Sequence, residues 1–206
     1  MHQVNIILHV VAGTIALALG VLAIIFNERA RIHKKLGMAF LYFLGAVVTT
    51  GFVGWLFFRS DPFLLMLTIL AGYDGFAGYR VIRLKETRPS LLDLSVALAA
   101  LLTGLLYLFR LSGVRANMSS AVVISTMIAL AVITTYDIFK YLFMHRYVKR
   151  WWLYEHIYKM IAGFSAIFSA FLGTVADSWG VFSRLGPTVI CTWLIIFFIW
   201  RRSLRA

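Results

Sequence analysis

The chain has 206 residues, 62% of them apolar and 14% charged, with one cysteine and a formal net charge of +12. Together with a mean hydropathy of +0.88, this excludes an ordinary soluble domain, a disordered tail and a disulfide-stapled scaffold. Seven membrane spans of about 20 residues would use about 140 and leave about 66 for every loop and both tails, so the expectation is a single transmembrane domain over residues 1–206.

Apolar runs bounded by charge predict seven spans. The first, 5–26, has no basic residue ahead of it and runs into Arg29 and Arg31, so it is expected to be retained as a span rather than cleaved as a secretory signal. Ala12, Ala16 and Gly20 stand on it at four-residue spacing, which marks a face for close helix approach. Span 37–58 follows, and span 63–82 is opened by Asp61 as an N-cap and Pro62 at the first helical position. Ser90 and Asp93 form a capping-box pattern ahead of span 92–109. Span 119–143 leads into a basic loop, beside which Trp151, Trp152 and Tyr154 fit an interfacial aromatic belt. Span 157–176 carries Ala162, Ala166, Ala170 and Thr174 at four-residue spacing, with Ser165, Ser169 and Gly173 alongside. Gly186 and Pro187 open the last and shortest span, 187–200. Lipid satisfies no backbone polar group, and no segment shows the strict alternation of a membrane barrel. The expected fold class is therefore all-α, a polytopic transmembrane helical bundle.

Lysine and arginine sort by loop. Sixteen of the twenty fall in 29–35, 80–88, 140–159 and 201–205, against Arg59, Arg110, Arg115 and Arg184 on the other side. The positive-inside rule then places the N-terminus outside and the C-terminus in the cytoplasm. The basic residues lie between apolar runs, so they read as orientation signals and contacts for anionic lipid headgroups, with no nucleic-acid partner expected.

Tyr73-Asp74-Gly75-Phe76 recurs as Tyr136-Asp137-Ile138-Phe139, 63 residues later. Both copies run from outside to inside and end in a basic loop. The recurrence reads either as three out-in-out hairpins plus a closing seventh helix, or as chance likeness of two tetrapeptides in aromatic-rich helices.

Of the eight acids, only Asp74 and Asp137 lie well within predicted spans, about 12 Å and about 9 Å from the inner helix ends at 1.5 Å per residue. A carboxylate at such depth costs about 2.5–3.5 kcal/mol and needs a partner, water or a proton. With Tyr73 and Tyr136 beside them, they are the candidate proton, ion or substrate site. The competing reading is structural, with Asp137 paired to Lys140 one turn away and Asp74 to a basic residue of a neighbouring helix. Glu28, Glu86 and Glu155 are expected in loops or at interfaces, Asp177 near the outer end of the sixth span.

His33 just precedes the second span and His156 opens the sixth, so the two lie at similar depth and are candidate ligands for a metal or a b-type haem. Against this stands the reading of interfacial histidines meeting headgroups and carbonyls. His2 and His9 fall on the outer side, and Cys191 reads as a small apolar filler. There is no phosphate loop, dinucleotide fingerprint, nucleophile elbow or HExxH pattern, so no catalytic residue is assigned and an enzymatic function is the less favoured reading.

Leu8-His9-Val10-Val11-Ala12-Gly13, Arg31-Ile32-His33-Lys34-Lys35-Leu36-Gly37 and His156-Ile157-Tyr158-Lys159-Met160, leading into Ser169-Ala170-Phe171-Leu172-Gly173, resemble a family of uncharacterised bacterial multi-span membrane proteins, a domain of unknown function. The resemblance covers most of the first six spans. It implies a bacterial inner-membrane location and a compact bundle with His9, His33 and His156 at recurring histidine positions, and it implies no established activity. Three functions follow from the residues: a small proton- or cation-coupled transporter using Asp74 and Asp137, a haem- or metal-binding redox protein using His33 and His156, or an accessory subunit that presents apolar faces to a protein partner or a second copy.

Overall fold

The computed structural model describes residues 2–58, 62–111, 120–144 and 151–205. Asp61 lies outside them, as do Arg59 and Arg115. Among the described residues the fold is entirely helical. The long helices are α1 (His2–Ile25), α2 (Ala30–Phe58), α3 (Pro62–Leu84), α4 (Leu91–Leu111), α5 (Ser120–Phe139), α6 (Trp152–Val175) and α7 (Val181–Ser203). A π-helical turn, Lys140–Met144, extends α5, and a short 3-10 turn, Asp177–Trp179, joins α6 to α7. Five helices are long and apolar enough to cross a membrane, namely α1, α2, α5 with its π turn, α6 and α7, while α4 has a shorter apolar stretch, Leu91–Tyr107.

The distribution of side chains is the reverse of that in a water-soluble domain. Phe109, Phe182 and Trp193 are 81%, 83% and 68% exposed, whereas Asp74, Lys159 and Glu155 are 0%, 2% and 7% exposed. Apolar groups outside and ionisable groups inside suit an apolar surround, in which a helix must satisfy its own backbone and bring its charges to the bundle interior.

α1 packs along α2, and α3 packs most extensively on α6, with α7 laid against α6 and α4 against α5. Of the three hairpins the repeat suggested, α1–α2 is tightly packed and α3–α4 lightly, while α5 and α6 make little close backbone contact. Small residues explain the strong pairs. On α1 the expected stripe is buried at Ala12, Ala16 and Gly20, and a methyl on Gly20 would meet the Phe164 ring at 2.5 Å. On α6 the buried face is Gly163, Ser165, Ala166 and Ser169; Ala162 and Ala170 are half-buried and Thr174 is exposed. A Cβ on Gly163 would lie 3.2 Å from Asp74 Cβ and 3.5 Å from the Ala71 carbonyl oxygen, so the absent side chain lets α3 and α6 cross closely.

Three helix starts differ from those the apolar runs predicted, the first being α2, which starts at Ala30, seven residues before 37. α6 starts at Trp152, five residues before 157, and so takes Glu155, His156 and Lys159 into its first two turns. α7 starts at Val181, with Pro187 inside it and buried. A proline missing its N–H in the second turn forfeits one intrahelical bond, which a helix already started at Gly180 tolerates. The capping box at α4 forms as expected, with the Ser90 backbone N–H donating to Asp93 Oδ2 at 2.7 Å. Asp93 also accepts both arms of Arg80, at 2.6 and 2.9 Å. Glu28, in the α1–α2 turn, is gripped by Arg201 and Arg205 at the end of α7, which ties that turn to the C-terminal end of the chain.

Candidate functional site

Four ionisable side chains from α5, its π turn and α6 form one buried network. Lys159 Nζ donates to both oxygens of Asp137, at 2.6 and 2.8 Å. Lys140 Nζ donates to both oxygens of Glu155, at 2.7 and 2.6 Å. Lys159 also lies 3.8 Å from Glu155, one helical turn away. Two tyrosine hydroxyls close the ends, Tyr73 donating to Asp137 and Tyr136 to Glu155. Two cations and two anions balance, and each carboxylate receives at least two hydrogen bonds, which is the condition for holding charge in an apolar interior. The long side chains span the space that α5 and α6 leave between their backbones.

The structural pairing expected for Asp137 is thus made, but to Lys159 on α6 and not to Lys140. Glu155 is not in a loop: it lies in the first turn of α6 and is buried, because the early start of α6 carries it onto the helix and Lys140 and Tyr136 satisfy it.

Asp74 follows Tyr73 in the chain and has no such company. It has no exposed surface, and neither carboxylate oxygen has a hydrogen-bond partner among the described residues. The Gly163 crossing presses α6 backbone against its Cβ, so the side chain is enclosed by helix packing and not by a basic partner. An ionised carboxylate so placed is uncompensated and costs several kcal/mol. A proton or a cation removes that cost.

Two clefts adjoin this region. The first, about 40 Å³, is lined by Tyr73, Asp137 and Lys159 and continues past Arg80 and Lys140 to Lys85. The second, about 170 Å³, lies between α3, α5, α6 and α7; Asp74 and Tyr158 line it, as do Ser165, Ser169, Arg184 and Thr188. Asp74 and Asp137 therefore line adjoining clefts on either side of the Tyr73–Asp74 dipeptide and do not share one cavity.

His33 and His156 are brought together, with ring centroids 6.4 Å apart and planes at 86°. His33 Nδ1 donates to the Ala23 carbonyl at 2.9 Å and His156 Nδ1 to the Gly78 carbonyl at 3.0 Å. Because a carbonyl only accepts, both rings carry their proton on Nδ1 when neutral and keep the Nε2 lone pair. His9 is elsewhere. Its Nδ1 meets Thr50 Oγ1 at 2.8 Å and, since the Thr50 hydroxyl donates to the Ala46 carbonyl, the imidazole is the donor. No group of three or more His, Cys, Asp or Glu side chains is arranged to hold a metal among the described residues.

Glu155 and Lys159 are the members of the site that the sequence reading did not assign to it, and Lys140 is the one it paired with Asp137. The available signal was the i,i+4 pair Glu155 and Lys159 in register with Ala162, Ala166 and Ser169, which puts charge and small residues on one face.

No protein-family model, curated protein or solved structure matches the chain.

The two aspartates are expected to respond oppositely to loss of charge. Asp137→Asn leaves Lys159 buried beside a Glu155 already engaged by Lys140, and should cost about 3–5 kcal/mol. Asp74→Asn breaks no pair and should leave stability unchanged or raise it, since an amide of the same shape buries no charge. Thermal unfolding of both variants in one detergent checks this, and equal losses would remove the distinction.

Proposed function

We propose that the protein is a small multi-pass carrier of a bacterial inner membrane that exchanges a proton or a cation at Asp74. The observation that supports it is a fully buried carboxylate with no hydrogen-bond partner among the described residues, lining a cleft. Packing alone gives no reason to keep such a group, whereas a site that must take up and release positive charge needs one whose ionised form is poorly compensated inside the bundle. In this reading Asp74 is the exchanging group, the neutral network from Tyr73 to Lys140 is the fixed frame behind it, and the cleft toward Thr188 is the approach. Infrared difference spectra between high and low pH should show a protonated-carboxyl band that is lost in Asp74→Asn. An identical difference spectrum in that variant would overturn the assignment.

The membrane arrangement proposed with it is seven spans, N-terminus outside and C-terminus cytoplasmic, with the basic end against anionic headgroups. Lys140 and Lys159 are satisfied within the bundle and leave the orientation count, yet fourteen of the remaining eighteen basic residues still favour one side. An impermeant thiol reagent on intact cells should label a cysteine introduced at Arg115 and not one at Lys34; the reverse pattern would invert the topology.

The His33–His156 pair supports a second reading, a metal or haem centre, because their Nε2 atoms are free of the backbone bonds that fix the rings. Protein purified from its native host should then show a Soret band or bound transition metal lost in both His33→Ala and His156→Ala. A colourless, metal-free preparation whose stability is unaffected by added copper would sink this reading.

A further inference from the structure

Resting on the reading of Asp74 as the exchanging group, we infer that the larger cleft binds a small organic ammonium ion, with the charged head on Asp74 and the hydrocarbon tail toward α7.

Charge arithmetic comes first. Lys159 is used by Asp137 and Lys140 by Glu155, so the frame is neutral and an ionised Asp74 leaves the interior with one negative charge in excess. One monovalent cation cancels it. A divalent ion would leave a positive charge buried, and an anion would double the excess.

The cleft's size and lining then select among monocations. It runs beside α7 from Arg184 to Ile195, about 16 Å at 1.5 Å per residue. Its volume of about 170 Å³ far exceeds the room of about 10–15 Å³ that one water needs on that measure. Leu67, Leu70, Ile133, Leu185 and Ile195 give it apolar surface, and Ser and Thr hydroxyls lie between them. A bare inorganic ion would use the hydroxyls alone and gain nothing from the apolar surface. An alkylammonium needs a carboxylate and one or two further acceptors at one end, which Asp74 and the Ser165 hydroxyl can supply, and an apolar wall for its tail.

The other charged and titratable groups around Asp74 do not compete for the role. Tyr73 is bonded to Asp137, itself held by Lys159. α4 brings Asp93, which Arg80 occupies, and α2 faces this part of α3 with Leu44. Tyr158 is a neutral hydroxyl, and Arg184 at the far end bonds Asp177 at 3.0 Å. Entry of R–NH₃⁺ onto a protonated Asp74 releases one proton, so charge is conserved and the two cations are exchanged.

n-Butylammonium, n-butanol and n-butyrate share a shape and differ in charge, so they separate the terms. Calorimetric titration of the detergent-purified full chain at pH 8 should show saturable binding of n-butylammonium. Binding of butanol and butyrate should be at least tenfold weaker, and sodium chloride should not displace the amine. Asp74→Asn should lose amine binding at least tenfold while melting like the parent. Ala129→Phe, which fills the cleft from α5 and leaves Asp74 intact, should lose it as well. Absence of saturable amine binding to the parent, equal binding by butanol, displacement by sodium at similar concentration, or unchanged binding in Asp74→Asn would each overturn the inference. If the carboxyl band of Asp74 titrates but the amine does not bind, only the ligand class falls; if the band is absent, the underlying reading falls with it.

Discussion

The buried pairing of Lys159 with Asp137 is the interaction on which the rest of the structure depends. In an apolar surround there is no hydrophobic gain in bringing two helices together, so association rests on close packing of small residues and on polar contacts. α3 and α6 use the first, through Gly163 and Gly78. α5 and α6 use the second: their backbones stay apart, and Lys159, Lys140, Tyr136 and their acids reach across. Removing either partner strands a charge, so this part of the bundle can exist only as a complete set.

The same geometry isolates Asp74. Lys159 stands on the α6 face that crosses α3, and a methyl on Gly78 would lie 3.2 Å from its Cβ, yet its ammonium is turned to Asp137 on α5. The basic residue nearest to serving Asp74 is therefore already committed. The two Tyr-Asp tetrapeptides differ in just this respect. In each, the tyrosine donates to an acid on another helix, but only Asp137 has gained a lysine. An acid without a partner among the described residues thus stands one residue from the tyrosine that serves a satisfied one.

Much of the fold was legible because apolar run length is a strong constraint on helices in lipid. The starts of α1, α3, α4 and α5 follow it closely, and the small-residue stripe of α1 and the Ser90–Asp93 cap follow from local chemistry that needs no tertiary context. The misplaced starts of α6 and α7 share a cause. Run length treats Glu155 and Pro187 as breaks, but Lys140 neutralises the first from the π turn, and the second removes only one bond. The place of Asp74 in the middle of a helix was readable from sequence; its lack of a partner among the described residues was not, since that depends on how far apart α5 and α6 stand. The His33–His156 approach was foreseen from equal depth, and the carbonyls that fix the rings could come only from the fold.

A neutral frame also sets what an exchanging acid can do. If Lys159 could swing between Asp137 and Asp74, the cation at Asp74 would be a tethered one and nothing would be carried. The two hydrogen bonds to Asp137, the Tyr73 hydroxyl on that same carboxylate and the proximity of Glu155 all oppose the swing, because moving the ammonium would leave Asp137 buried with a single donor. In the reading proposed above, exchange at Asp74 is thereby reserved for charges that arrive through the cleft. The bundle's own cations are held by Asp137 and Glu155, which leaves Asp74 without one among the described residues.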